Sequence, residues 1–96
     1  MEIKKTIEGS KATLAIEGWL DTQTAPELGD ALTELGDGVT ELEFNCAALE
    51  YVSSAGIRQI VAAYKQMDGN LVLRNVSAEV KEVLRLTGTD KRLTIL

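Results

Sequence analysis

The stretch Glu41-Leu42-Glu43-Phe44-Asn45-Cys46, followed shortly by Ser53-Ser54-Ala55-Gly56-Ile57, decides the fold. Leu42, Phe44 and Cys46 alternate with Glu41, Glu43 and Asn45, the period-two pattern of a strand with one wet face. Two serines then stand directly before Ile57, Ile60, Val61, Tyr64 and Met67, whose spacing is helical, and serine is a favoured N-cap. A strand that hands over so soon to a helix is the building unit of an α/β domain.

Upstream, Ile3 and Ile7 and then Ala12, Leu14 and Ile16 show strand alternation on either side of Gly9-Ser10, which suits a two-residue hairpin. Thr24-Ala25-Pro26-Glu27 has the form of a capping box with proline in the first turn. It predicts a helix with Leu28, Ala31, Leu32 and Leu35 inward, Glu27, Asp30 and Glu34 outward, and Gly36 as its end. Downstream, Asp68-Gly69-Asn70 turns the chain into the apolar run Leu71-Val72-Leu73. Ser77 caps a third helix carrying Val80, Val83, Leu84 and Thr87, Gly88 ends it, and Arg92 to Leu96 supplies a last strand. The expected order is β-β-α-β-α-β-α-β: one α/β domain over residues 1–96, with a mixed, mostly parallel sheet after an opening antiparallel hairpin.

Composition narrows the chemistry. The 96 residues include no histidine and a single cysteine, Cys46, so neither a Ser-His-Asp triad nor an intrachain disulfide can be built. No Gly-x-Gly-x-x-Gly or Walker pattern occurs, no cofactor is expected, and the reading is of a protein that is not an enzyme. The net charge of −5 argues against a nucleic-acid partner, whose protein surfaces are normally basic. The acidic residues crowd into the first half of the chain, a distribution that suits either ordinary solvated faces or a surface selecting a basic partner. The longest apolar run, Ile60 to Tyr64, is far too short to cross a bilayer, and the opening residues lack a secretory pattern, so a cytoplasmic location is expected.

Two places can carry function. Ser53 and Ser54 sit where a strand gives way to a helix; they are either helix caps or an acceptor for phosphate, which the free N–H groups of a helix start can stabilise. The Gly-x-Ser-x-Gly elbow is absent, so neither serine is read as a catalytic nucleophile. Asp21, in Gly18-Trp19-Leu20-Asp21, is either a turn carboxylate or a binding residue, and Trp19 beside it is either core or an exposed anchor. Cys46 is expected to face the core.

With these residues in place, the chain resembles a STAS domain, the fold shared by bacterial anti-sigma factor antagonists and the cytoplasmic tails of sulfate transporters. The resemblance spans essentially the whole chain. It is carried by Gly18-Trp19-Leu20-Asp21, Leu42-Glu43-Phe44-Asn45, Tyr51-Val52-Ser53-Ser54-Ala55-Gly56-Ile57-Arg58, Leu71-Val72-Leu73-Arg74-Asn75-Val76-Ser77 and Leu86-Thr87-Gly88. It implies a partner switch: unphosphorylated, the domain binds an anti-sigma factor that is itself a serine kinase; phosphorylated, it lets go; a serine phosphatase resets it. Alignment on Gly56-Ile57 makes Ser54 the implied phosphoacceptor, with Ser53 as runner-up because it replaces the aspartate found there in several members. Trp19, Asp21, Thr22, Ser53, Gly56, Ile57 and Arg58 are the implied partner-binding residues, and a monomer is expected. The alternative within the family is a small cytoplasmic subunit regulating an ABC-type lipid transporter.

Overall fold

The computed structural model describes all 96 residues. Strands β1 (Glu2–Glu8) and β2 (Lys11–Leu20) form the expected hairpin, with Glu8 opposite Lys11 across the Gly9-Ser10 turn. Helix α1 (Ala25–Thr33), strand β3 (Glu41–Asn45), strand β4 (Leu49–Val52) and helix α2 (Ser54–Gln66) follow. The chain closes with β5 (Leu71–Arg74), α3 (Ala78–Leu86), a short 3-10 turn at Thr89–Lys91 and β6 (Thr94–Ile95). Apart from β1, every strand pairs in parallel, in the order β1-β2-β3-β5-β6 with β4 also on β2.

One element departs from the sequence reading: β4 is an additional strand. Leu49 and Val52 are buried while Glu50 and Tyr51 both face solvent, so the segment has no period-two signature. Its place is fixed by tertiary pairing: the first half of β2 pairs with β3, and the second half, beyond an irregularity at Gly18/Trp19, pairs with β4. Gly18 makes this irregularity at φ +94°, in the left-handed region that disfavours side chains, and its N–H donates to the Ala48 carbonyl at 2.8 Å.

The core is a single cluster of 24 buried hydrophobic residues, centred on Phe44, Leu14, Ile16, Leu20, Leu28, Ile60, Leu71, Leu73 and Leu84. Helices α1 and α2 pack against each other, and the Gln66 amide donates to the Leu32 carbonyl at 2.9 Å between them. Parallel sheets are normally covered on both faces. Here Thr13, Ala15, Glu43, Asn45 and Val72 remain half-exposed on the other face. Glu43 bridges Arg74 at 2.7 Å and Lys11 at 3.5 Å there; burial pushes its carboxyl up, but the two cations outweigh that and hold it below the ordinary value.

Cys46 lies in the core, 1% exposed, and desolvation pushes its thiol up to about 12. The thiolate is the reactive form, so Cys46 is expected to resist alkylation at pH 8 in the folded protein and to react fully in denaturant. A native-state labelling rate close to that of a free thiol would overturn its placement.

Candidate functional site

One end of the domain collects the carboxyl ends of β2 and β4 and the start of α2. The join is made by the backbone: the Ser53 N–H donates to the Leu20 carbonyl at 2.9 Å, tying the first residue after β4 to the last residue of β2. Trp19 and Tyr51 are cross-strand neighbours, their ring centroids 5.1 Å apart at 42°, and they are 57% and 43% exposed. An aromatic pair this open is a ready contact surface, since such rings bring large apolar area at little entropic cost. Trp19 is therefore exposed and not part of the core. Tyr51 was visible in the sequence only as part of a motif, because its pairing with Trp19 depends on β4.

The two serines divide their roles. Ser53 is the N-cap of α2: its backbone is extended and its hydroxyl accepts from the Gly56 N–H at 3.4 Å, a long bond. Ser54 is the first residue of the helix and is exposed. No acidic side chain lies in the first turn of α2. Arg58 stands four residues beyond Ser54, on the same side of the helix, exposed and outside every ion pair of the chain.

Gly56 and Ile57, which the resemblance implied as partner-binding residues, are both buried. Gly56 is the point where α2 meets the sheet: a Cβ there would stand 2.7 Å from Leu20 Cγ, 2.8 Å from the Leu20 carbonyl and 2.9 Å from Val52 Cγ2. Both residues position the helix start.

The loop between β2 and α1 is built around Asp21 and Thr24. Asp21 Oδ1 accepts from the Gln23 N–H at 2.9 Å and the Thr24 N–H at 3.1 Å. The Thr24 hydroxyl donates to the Trp19 carbonyl at 2.7 Å and accepts from the Asp21 N–H at 2.9 Å. The capping box expected at Thr24-Glu27 is accordingly not formed; Thr24 has helical backbone angles and makes no side-chain cap bond. Asp21 organises the turn in its place. Thr22, next to it, is exposed.

The Thr24 N–H, followed by the other local donors, holds the Asp21 carboxyl below its ordinary value of 3.8. A depressed folded value means that the contribution of Asp21 is fully present above about pH 3.8 and is lost as pH falls through the lower, folded value. Asp21→Ala is expected to lower the melting temperature at pH 7, and the gap from the parent protein should close in that acid window. Thermal melts at stepped pH test this, and a gap unchanged down to pH 2 would show that the carboxylate does not hold the loop.

A concavity of about 680 Å³ lies away from this end, lined by Thr33, Asp37, Gln66 and Asp68 among others. No group of His, Cys, Asp and Glu could hold a metal ion, and no helix is long and apolar enough to cross a membrane. What the β2–β4–α2 end offers is an exposed serine at the first position of α2 and an exposed aromatic pair on the adjoining strands β2 and β4.

The fold has counterparts among known proteins. A family model described as "Mlab, STAS domain" matches residues 3–96. The chain belongs to the STAS domain family. No curated protein matches this STAS domain by sequence. Among solved structures it is similar to an anti-sigma factor antagonist from Mycobacterium paratuberculosis, with 21% identity over 98% of this chain and 83% of the other, at a TM-score of 0.86. The Bacillus cell fate determinant SpoIIAA in its phosphorylated form matches at 16% identity over 99% of this chain and 91% of the other, TM-score 0.67. A sulfate transporter family protein from Wolinella succinogenes matches at 16% identity over 93% and 75%, TM-score 0.77. At these identities the likeness establishes the STAS fold.

Proposed function

We propose that this STAS domain is an anti-sigma factor antagonist that works by partner switching, with Ser54 as the residue phosphorylated. The observation that carries this reading is the division of labour at the start of α2: Ser53 is engaged as the cap, and Ser54, the first helical residue, is exposed. Unphosphorylated, the domain docks on an anti-sigma factor serine kinase through Trp19, Tyr51, Thr22, Ser54 and Arg58. The kinase supplies ATP, metal and base, and the substrate needs only the accessible hydroxyl. Phosphorylation places about −1.5 to −2 charges on the docking face, and the partner dissociates until a serine phosphatase removes the group. The similarity of the fold to an anti-sigma factor antagonist supports the reading.

A second reading is favoured by the description of the matching family model, which names Mlab. In it the domain is a small subunit regulating an ABC-type lipid transporter, and the same face rests on the transporter ATPase. Capture on the immobilised domain from lysate of the native source, with ATP present and intact-mass analysis of the bait, separates the two. The first reading expects a small serine kinase and a gain of one phosphoryl group that Ser54→Ala abolishes and Ser53→Ala leaves in place. An ABC ATPase on an unmodified bait would establish the second.

A further inference from the structure

A second site is suggested by the cations that no carboxylate neutralises. Lys4, Lys11, Arg74 and Arg85 form ion pairs; Lys5, Arg58, Lys65, Lys81, Lys91 and Arg92 do not. Half of these unpaired cations line one cleft of about 330 Å³, where Lys65 of α2 faces Lys91 and Arg92 of the segment leading into β6. The rest of its lining is Val61, Tyr64 and Leu93, and it contains no acidic residue. Asp90 is adjacent in sequence, but it does not line the cleft, and its Oδ1 is buried without a hydrogen-bond partner. On a chain of net charge −5, this is a local reversal of sign around an apolar floor.

We propose that this cleft binds a small phosphomonoester carrying an apolar group. The phosphate would meet the Arg92 guanidinium, which suits a fork of oxygens, and the point charges of Lys65 and Lys91. The apolar group would lie on Val61, Tyr64 and Leu93. The volume sits at the lower end of the range for small-ligand sites, of order 300 Å³ and above, so the fitting ligand is compact. Tyr64 follows Ser54 by ten residues along α2, about 15 Å at the rise of an α-helix. The cleft therefore lies along α2 beyond Ser54, its nearest lining residue Val61 one turn past Arg58, and the proposal does not rest on the partner-switch reading.

The test is a titration of the ¹⁵N-labelled full chain with phenyl phosphate, followed by amide shifts. Sub-millimolar binding is expected, with shifts confined to residues around Val61–Lys65 and Lys91–Leu93. The double substitution Lys91→Gln/Arg92→Gln, both on exposed side chains, should weaken it by about tenfold or more. Lys81→Gln, an unpaired cation outside the cleft, should leave it unchanged. Added salt should weaken binding, and inorganic phosphate, lacking the apolar group, should bind more weakly. Vesicles containing phosphatidic acid distinguish the source: co-sedimentation lost in the double variant assigns the phosphomonoester to a lipid headgroup, and phenyl phosphate binding without co-sedimentation assigns it to a soluble molecule. Equal affinity for inorganic phosphate, shifts spread over all exposed lysines, or indifference to the double substitution would each overturn the proposal.

Discussion

Alanine in place of Gly56 is expected to destabilise the domain by about 1–3 kcal/mol, the usual range for forcing an extra carbon into a packed core. Two effects oppose each other. In a helix, glycine to alanine gains up to about 1 kcal/mol of intrinsic propensity. Against this, the new Cβ would stand under 3 Å from three atoms, one of them the Leu20 carbonyl oxygen, which already accepts from the Ser53 N–H. A flexible side chain can rotate away from such a contact, but a backbone carbonyl fixed between β2 and the start of α2 cannot, so the clash wins. Gly29→Ala in α1 provides the contrast. Its Cβ would meet only the end of the Gln59 side chain, at 3.2 Å, and the propensity gain should survive as neutral or raised stability. Urea denaturation of both variants reads the signs directly. A Gly56→Ala midpoint equal to that of the parent would show that α2 can lift from the sheet without cost.

The second large effect belongs to Ser54, where stability and binding should move in opposite directions. An anion at the first position of a helix interacts favourably with the helix dipole, by about 0.3–1 kcal/mol at exposed sites. Ser54→Asp should therefore melt at or slightly above the temperature of the parent. Binding to the cognate anti-sigma kinase should fall by about tenfold or more, because an uncompensated charge must be desolvated on the docking face at a cost of order 1.4 kcal/mol or greater. Ser54→Ala should bind like the unphosphorylated parent and accept no phosphate. Ser53→Ala loses the cap and should cost about 1 kcal/mol of stability or less, given the length of its bond to Gly56. Calorimetric binding with parallel melts measures both axes. If Ser54→Asp bound as tightly as the parent, Ser54 would not be the switch.

The sequence carried most of the fold because its strongest signals are local. The Gly9-Ser10 hairpin, the alternation of Leu42, Phe44 and Cys46, and the caps Ser53 and Ser77 each act within a few residues of themselves and stand where expected. The features that escaped depend on distant chain segments. Strand β4 was invisible because Glu50 and Tyr51 both face out, and only β2 makes it a strand. Thr24 looked like a capping-box residue, but Asp21, three positions earlier, competes for its N–H and redirects its hydroxyl. Ile7 kept the strand alternation of Ile3 yet is 46% exposed, because Ile3 packs on the core and Ile7 lies near the hairpin turn. The serine pair was legible as a place but not as two roles; only the Ser53 hydroxyl bond to Gly56 separates cap from free hydroxyl.

Trp19 is the only tryptophan of the chain, and it lies more than half in water against Tyr51. Indole emission shifts to shorter wavelength when water leaves the ring, so the protein carries an optical reporter at its proposed docking face and nowhere else. Capture, release and reset can be followed in real time on unlabelled protein, provided that the partner is followed through a tryptophan-free variant.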